Sequence, residues 1–337
     1  MGKLKKMSYD GKMNKVLIIR FSSFGDIVQC MSILPKVKEN IPGEVHWVTR
    51  SDMSSLLLLN KSVDKVWSFD KKKGFLGLLK LAWELRKENY THVYDAHSNL
   101  RSRVLSSFLF PPHFIRRSKE RIKRILLFTF RKNYFENPYR GIISYLTPLL
   151  KWGIEDARDF KPTEWDFSKL SIPTSFESDS IAIAPSAAWE MKRWPLDYWK
   201  RLISLNKELK FTVLGGPGDK FCEELREIDP QRVTNLAGKL SLIESCYIVS
   251  KTKLLISADT GLIHVADLLG RKGISLMGPT AFGFATGDHI KTLEVDLPCR
   301  PCTKDGRGKC SQDIWQKCMV DITPEMVSSE IKAQLSL

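Results

Sequence analysis

Residues 257–280 read SADTGLIHVADLLGRKGISLMGPT and contain two strand ends and the start of a helix. An apolar run at residues 254–256 leads to a polar corner of Asp259, Thr260 and Gly261, and a helix then begins. Backbone N–H groups and the positive end of the helix dipole converge at such a corner, and phosphate is an anion that suits it. The alternative is an ordinary capped turn, since Asp and Thr are common N-cap residues.

Outward from this corner, short apolar runs alternate with amphipathic helical segments along the chain. This alternation is typical of parallel sheets covered by helices, whose strands are buried on both faces. The predicted strands are residues 15–20, 44–50, 65–69, 92–95, 181–184, 211–214, 233–236, 254–256 and 273–277. The predicted helices are residues 27–38, 75–90, 196–209, 219–228, 242–250 and 322–335.

The length of the chain and a break in this rhythm predict two domains. A chain of 337 residues exceeds one ordinary core. Residues 162–180 interrupt the alternation with Pro, Ser, Thr and acidic residues, after which it restarts. We therefore predict two doubly wound α/β domains, residues 1–165 and 166–337, facing one another across a cleft. The final helix, 322–335, either closes the second domain or returns to the first.

The charge of the chain indicates an anionic partner. The net charge is +15 with a pI of about 9.4, and basic residues concentrate at 115–140. That segment fits a solvated basic helix, a nucleic-acid patch, or an interfacial segment facing anionic lipid or a phosphorylated substrate. Because the chain shows no zinc-finger, RRM or helix-turn-helix signature, we expect no nucleic acid.

The apolar stretches are too short to cross a bilayer, and residues 1–14 are basic without the apolar core of a secretory signal. We therefore expect a flexible leader and a cytoplasmic protein.

Four late cysteines are clustered, namely Cys299, Cys302, Cys310 and Cys318. Such a cluster is compatible with a tetrathiolate zinc or iron site in a reducing compartment. The alternatives are reduced thiols packed in a loop or a redox-labile pair. Several lysines and arginines crowd the same loop and weigh against the metal.

Two further strand ends carry residues with catalytic chemistry. In SSFGD, Asp26 stands at a helix start, where it either removes a proton from an acceptor hydroxyl or simply caps the helix. Lys192 lies in the loop after strand 181–184, where it either neutralises a diphosphate leaving group or is an ordinary surface lysine. His264, one turn into its helix, either donates to a phosphate or sugar oxygen or packs inside.

Together these motifs resemble glycosyltransferase family 9, the ADP-heptose:lipopolysaccharide heptosyltransferases. The resemblance runs from about residue 15 to 323 through VLIIRFSSFGDIV (16–28), DAHSNLRS (95–102), APSAAWEMKRWP (184–195), VLGGPGD (213–219) and SADTGLIHVADLLG (257–270). It implies a GT-B fold and inverting, metal-independent transfer of heptose from ADP-L-glycero-D-manno-heptose to the lipopolysaccharide inner core. It requires no cofactor and places the enzyme at the cytoplasmic face of the inner membrane of a Gram-negative bacterium.

The resemblance also implies roles for residues of this chain. Asp26 takes the position of the general base. The donor side comprises Ser23, Gly25, Ser186, Lys192, Asp259, Thr260, Gly261 and His264. A basic patch for an anionic acceptor comprises Arg101, Arg116, Arg117, Arg121, Lys123 and Arg124.

The loop before Lys192 departs from the family, because Ala187 and Ala188 replace hydroxyl side chains. Phosphate contacts there would come from backbone amides or from Ser186. A different sugar, a protein acceptor, and a non-catalytic nucleotide or nucleic-acid binder remain as alternatives.

Overall fold

The computed structural model describes residues 13–168, 170 and 176–337, and its contacts divide the chain into two compact units. The first unit holds residues up to 120 together with 142–168, and the second holds 121–141 and the residues after 168. This division differs from the predicted single boundary after residue 165, which assigned residues 121–141 to the first domain. Residues 1–12 of the expected leader, and 169 and 171–175 of the expected linker, lie outside the described residues.

The first unit is built on a parallel sheet in the order β3-β2-β1-β4-β5. Its strands are β1 (Asn14–Ile19), β2 (Gly43–Arg50), β3 (Lys65–Phe69), β4 (His92–Asp95) and β5 (His113–Arg116). In the central strand β1, residues 16–19 are fully buried, as expected for a strand covered by helices on both faces.

Helices of the first unit cover this sheet. They are α1 (Phe24–Met31), α2 (Ile33–Asn40), α3 (Ser54–Leu57), α4 (Gly74–Lys87), α5 (Leu100–Ser107) and α7 (Gly141–Leu146, whose first residue groups with the second unit). On α4, Leu78, Ala82 and Leu85 recur at helical spacing and pack into the core with Leu17 and Ile19 of β1.

The second unit is built on a parallel sheet in the order β11-β10-β9-β6-β7-β8. Its strands are β6 (Ile181–Ala184), β7 (Phe211–Val213), β8 (Val233–Asn235), β9 (Leu254–Ala258), β10 (Gly273–Met277) and β11 (Ile290–Glu294). All residues of β6, β9 and β10 are buried.

Helices of the second unit are α6 (Arg121–Phe130), α8 (Leu196–Leu205), α9 (Glu223–Arg226), α10 (Leu242–Lys251), α11 (Gly261–Leu268), α12 (Lys317–Val320) and α13 (Pro324–Leu335). The final helix α13 buries Val327 and Ile331 in the core of this unit. Its Ser328 hydroxyl donates to Asn206 Oδ1 at 3.0 Å, just after α8. The buried face of the final helix therefore belongs to the second unit.

All nine predicted strands are present, with ends shifted by at most two residues. The sequence missed β5 and β11, because these edge strands are partly exposed and carry no continuous apolar run. The helix predicted at 27–38 is instead α1 and α2, which meet at Ser32. Within the described residues, every helix is too short or too polar to cross a membrane.

The strand orders locate the ligand-binding edge of each sheet. In the first unit the chain places β2 and β3 on one side of β1 and β4 and β5 on the other, so the order reverses between β1 and β4. In the second unit the order reverses in the same way between β6 and β9. Open α/β sheets bind ligands at the carboxyl ends of such strand pairs. Each unit therefore has one expected binding position.

Candidate functional site

In the first unit, Asp26 lies at the carboxyl end of β1, in the first turn of α1. Ser23 is the N-cap of this helix, and its hydroxyl donates to Asp26 Oδ2 at 2.8 Å. The side chain of Asp26 is 40% exposed, so a substrate has access to it. Gly25 lies beside it within α1. The sequence offered helix capping and an accessible carboxylate as alternatives for Asp26. In the structure Asp26 takes part in the cap of α1 and is also accessible.

Two further side chains hold this carboxylate in place. Arg20, whose side chain is only 7% exposed, has its Nη2 2.6 Å from Asp26 Oδ2. The same guanidinium donates through Nη1 to the carbonyl of Ala96 at 3.0 Å, which ties the loop after β1 to the loop after β4. The Tyr145 hydroxyl donates to Asp26 Oδ1 at 3.0 Å. Neither Arg20 nor Tyr145 was singled out from the sequence.

Ser23, Arg20 and Tyr145 surround this carboxylate and form with it the Asp26 cluster, whose contacts determine the charge of Asp26. The surrounding protein atoms partly desolvate this half-exposed carboxyl and so oppose its ionisation, but Arg20 and the Ser23 hydroxyl more than offset this effect and hold the pKa of Asp26 well below its usual range. Burial raises the pKa of Tyr145, so its hydroxyl remains a donor. Asp26 is therefore a carboxylate at neutral pH. Its Oδ1 accepts one hydrogen bond among the described contacts, and a carboxylate oxygen can accept two.

The first-unit residues of the predicted basic patch differ in their surroundings. Arg116 donates to Oδ2 of the fully buried Asp95 at 2.7 Å and to Ser106, so it is part of the framework of this unit. Arg117 donates to Ser144 and lies 4.0 Å from the ring centre of Tyr145, close to the Asp26 cluster. Arg101 is exposed in the first turn of α5, which follows β4 at the same sheet edge as Asp26.

The other three residues of the patch, Arg121, Lys123 and Arg124, lie on α6 and belong to the second unit. The Arg124 guanidinium stacks on Phe282, 4.4 Å from the ring centre. The structure therefore divides the six basic residues between the two units.

In the second unit, Lys192 and Asp259 meet at the carboxyl ends of β6 and β9. Lys192 Nζ lies 2.9 Å from Asp259 Oδ2, and each side chain is 13% exposed. Thr280, just after β10, donates to the same oxygen at 2.8 Å, and His264 Nε2 lies 3.7 Å from Oδ1. Burial opposes ionisation of Asp259, but Lys192 and His264 override it and lower the pKa of the carboxyl. An ion pair thus fixes the direction of the Lys192 ammonium.

The helix start beside this pair is the corner that the sequence predicts to bind phosphate. Thr260 is the N-cap of α11, and its hydroxyl pairs with Ser257 Oγ at 2.8 Å. In the described contacts this hydroxyl does not cap the helix, so the N–H groups at Gly261 and the following residues keep their capacity to bind an anion. His264 lies one turn further along the helix and is 5% exposed. Its side chain is therefore both packed inside the protein and close to the site.

Ser186, which the resemblance places on the donor side, contacts a neighbouring loop. Its hydroxyl donates to Asp219 Oδ1 at 2.6 Å, and Asp219 Oδ2 accepts from the Gly216 backbone at 2.6 Å. The serine therefore joins the loop after β6 to the GGPGD loop after β7. In this arrangement Ser186 positions two binding-edge loops.

A loop from the cysteine-rich segment supports Lys192, and the sequence did not reveal this. The backbone of Cys302 donates to the Pro279 carbonyl at 3.1 Å, and Thr303 forms a bridge with Thr280. Gly306, with φ of +95°, comes so close to Lys192 that an added Cβ would lie 2.6 Å from Lys192 Cγ. The only sequence signal was the pair of glycines at 306 and 308.

Replacing Gly306 by alanine is expected to weaken binding of the ADP group that the sequence resemblance implies, because the new methyl group displaces the stem of Lys192. Gly308→Ala is the matched control, since Gly308 also has a positive φ, +116°, but open space around its Cβ position. Both variants share the backbone strain, on the order of 1–3 kcal/mol. Isothermal titration with ADP should show at least about a fivefold weaker affinity for Gly306→Ala than for Gly308→Ala. Equal affinities would mean that the loop does not position Lys192.

The four late cysteines are free thiols. Burial, together with neighbouring thiols, raises the pKa of Cys318 to about 11 and also raises that of Cys302. Within the described ranges, the structure shows no group of three His, Cys, Asp or Glu side chains arranged to hold a metal ion. The observed contribution of this segment is the backbone support of the Lys192 site.

Comparison with known proteins gives one consistent family. The model described as Glycosyltransferase family 9 (heptosyltransferase) matches residues 78–311. Lipooligosaccharide heptosyltransferase 2 of Campylobacter jejuni is 24% identical, over 94% of this chain and 98% of that protein. Escherichia coli ADP-heptose lipopolysaccharide heptosyltransferase II matches with a TM-score of 0.69 and 22% identity, over 95% and 98% of the two chains. The E. coli heptosyltransferase WaaC, solved with ADP, matches with a TM-score of 0.68 and 19% identity, over 95% and 99%. These likenesses confirm the predicted fold class.

Proposed function

Because the chain belongs to glycosyltransferase family 9, we propose that it transfers L-glycero-D-manno-heptose from its ADP-activated form to the inner core of a lipopolysaccharide precursor, with inversion at the anomeric carbon. One observation carries this proposal: the expected binding edge of each unit holds one of the two chemical groups that the reaction requires, a base and a cation. The first has an accessible, ionised carboxylate, Asp26. The second has an oriented cation, Lys192, beside a helix start.

The names of the relatives support the substrates. The C. jejuni protein is a lipooligosaccharide heptosyltransferase, and the two E. coli proteins are heptosyltransferases, one of them named for ADP-heptose and the other solved with ADP. A diphosphate donor agrees with the Lys192 site, which combines a cation with backbone N–H groups.

In the proposed reaction, Asp26 accepts the proton of the acceptor hydroxyl as that oxygen attacks the anomeric carbon. Tyr145 and Arg20 keep the carboxylate oriented, and Oδ1 has room for a second hydrogen bond. Because the pKa of Asp26 is low, the proton moves late, when the attacking oxygen has become strongly acidic through bond formation.

The bond between the anomeric carbon and the phosphate oxygen breaks at the same time, and negative charge develops on ADP. The Lys192 ammonium and the first N–H groups of α11 stabilise this charge. The proposed reaction needs one base and one stabilised leaving group, and the protein groups named here supply both.

A transfer assay tests the proposal. Purified protein is incubated with ADP-heptose, UDP-sugars or GDP-sugars and either a heptose-free, deacylated inner-core acceptor or a protein acceptor. We expect transfer from ADP-heptose to the inner-core acceptor, with the anomeric configuration inverted in the NMR spectrum of the product. Transfer only from another sugar nucleotide would identify a transferase of that sugar. Transfer only to protein would identify a protein glycosyltransferase. Absence of transfer from every donor would contradict the proposal.

Arg101 tests the position of the anionic acceptor. It is exposed near the start of α5, at the same sheet edge as Asp26, and Arg103 is exposed on the same helix but about 200° around its axis. We expect Arg101→Gln to raise the KM for the inner-core acceptor by about threefold to tenfold with donor affinity unchanged, and the effect should shrink at high salt. Arg103→Gln should leave both values unchanged. Equal effects of the two variants would remove Arg101 from the acceptor site.

We further propose that the enzyme works at the cytoplasmic face of the inner membrane, where a lipid-linked acceptor is embedded. A net charge of +15 supports attraction to that surface, since bacterial and acceptor lipids are anionic.

A further inference from the structure

Helix α4 has an apolar stripe on its outer face as well as on its inner face. The inner residues Leu78, Ala82 and Leu85 fill the core of the first unit. On the opposite side, Leu76 and Trp83 are seven residues apart, so they lie on the same side of the helix two turns apart. Leu76 is 79% exposed and Trp83 is 58% exposed, and Phe75 in the first turn is 61% exposed. Burial in the unit does not account for these three side chains.

Basic residues surround this outer stripe. Residues 71–87 contain six, Lys71, Lys72, Lys73, Lys80, Arg86 and Lys87, against one acidic residue, Glu84. Lys80 lies between Leu76 and Trp83 on the same face, and Lys71–Lys73 form a short 3-10 turn directly before the helix. Cations at a helix N-terminus oppose the helix dipole, so the stability of α4 does not explain the three lysines there.

The stripe continues beyond the helix. Phe110, in the loop before β5, is 74% exposed, and the Arg86 guanidinium stacks on it 5.1 Å from the ring centre. The face therefore combines exposed Trp, Phe and Leu side chains with lysine and arginine. This is the composition of helices that lie in the interface of an anionic bilayer, where the rings enter the headgroup boundary and the cations meet lipid phosphates.

We propose that the outer face of α4, with Lys71–Lys73 before it, docks the protein on an anionic phospholipid surface. This inference rests on the proposed membrane-linked acceptor and names the surface that would bring the enzyme to it. It assigns Leu76 and Trp83 as the inserted side chains and the lysines as the electrostatic contribution. The occupant is an anionic bilayer because its surface complements the six cations and its headgroup boundary accepts the exposed Leu76 and Trp83 side chains.

Vesicle co-sedimentation tests the proposal on the full chain. The vesicles contain phosphatidylcholine alone or phosphatidylcholine with phosphatidylglycerol. We expect wild-type protein to bind only the vesicles with phosphatidylglycerol, and less at high salt. Leu76→Ser/Trp83→Ser should lower the partition coefficient by at least about tenfold. Lys71→Gln/Lys72→Gln/Lys73→Gln should also lower it by at least about tenfold, since one cation near such a surface is worth about fivefold.

Each variant has a matched control. Leu58→Ser/Trp315→Ser removes the same residue types from exposed positions elsewhere, and Lys207→Gln/Lys220→Gln/Lys332→Gln removes the same charge from exposed lysines. Both controls should bind vesicles like wild type. If a control and its partner variant lose binding equally, or if neither variant loses it, the proposal is wrong. If wild type self-associates and only the α4 variants are monomeric by light scattering, a second copy and not lipid covers this face.

Transfer to the deacylated acceptor in solution separates this inference from the proposed function. The α4 variants should keep wild-type transfer to that acceptor while losing vesicle binding. If the α4 variants alone lose vesicle binding but wild type transfers no heptose in solution, the proposed function fails and the docking surface stands. If transfer proceeds but the α4 variants bind vesicles normally, only the docking surface fails.

Discussion

Asp26→Asn is expected to slow heptose transfer by at least about 100-fold while ADP binding is retained. The variant keeps the size of the side chain and its capacity to accept from Tyr145, but an amide does not take the proton of the acceptor hydroxyl. Loss of a general base lowers the rate by about 100- to 10,000-fold. Steady-state assays with the deacylated acceptor measure the rate, and isothermal titration measures ADP affinity. Residual turnover within about tenfold of wild type would remove Asp26 as the base.

The control for this variant is Asp52→Asn. Asp52 also pairs with an arginine in the first unit, Arg50, but it is exposed and lies outside the Asp26 cluster. Its variant should transfer heptose at the wild-type rate. Because Asp26→Asn also leaves the buried Arg20 without its carboxylate, thermal melting should accompany the assay. A variant that is folded, binds ADP and is inactive separates chemistry from stability.

The low pKa of Asp26 adds a pH dependence with a defined sign. A carboxyl whose pKa is lowered by folding is ionised at every pH above that value, so it gives no acidic limb in the rate between about pH 5 and 8. Its stabilising effect is present above the unfolded pKa of about 3.9 and is lost as the pH falls through the lower folded value. The stability difference between wild type and Asp26→Asn should therefore be constant near neutrality and shrink only in strong acid.

Lys192→Ala is expected to weaken ADP binding by about 10- to 100-fold, because a charge-assisted contact to a phosphate is lost. The chemical step should also slow, since the same ammonium stabilises the charge that develops on the leaving diphosphate. Titration with ADP reports the first effect, and single-turnover kinetics at saturating ADP-heptose report the second. Unchanged affinity for ADP would make Lys192 a structural partner of Asp259 and nothing more.

Lys200→Ala is the matched control for the lysine. Lys200 also lies in the second unit and pairs with a carboxylate, its Nζ being 2.7 Å from Glu224 Oε2, but it is on α8 away from the strand ends. Loss of ADP affinity in Lys192→Ala alone would assign the effect to the site. In Lys192→Ala, the Asp259 carboxylate keeps Thr280 and His264 as its side-chain partners among the described contacts.

The residues at strand ends could be predicted because apolar runs and turn residues, which are local features of the sequence, mark where strands end. Asp26, Lys192 and Asp259 each follow a short apolar run whose length and flanking residues indicate a buried strand, and glycine, proline or a helix start marks the turn. The partners of these residues were not predictable. Tyr145 reaches Asp26 across 119 positions of sequence, and Gly306 reaches Lys192 from a segment whose cysteines suggested a metal instead. The sequence also did not reveal that Arg116, predicted for the acceptor patch, bonds to the buried Asp95.

By itself, the sequence determined that this protein has two parallel α/β units and which side chains lie at their strand ends. Periodicity and turn chemistry are local, so they can be read along the chain. Only the tertiary structure decided which strand ends are neighbours, since strand order depends on packing between segments far apart in sequence. That order brings the loop of Ala96 to Arg20, the partner of Asp26, and brings Lys192 to Asp259. Motifs that are separate in the sequence thus become chemical groups that can act together.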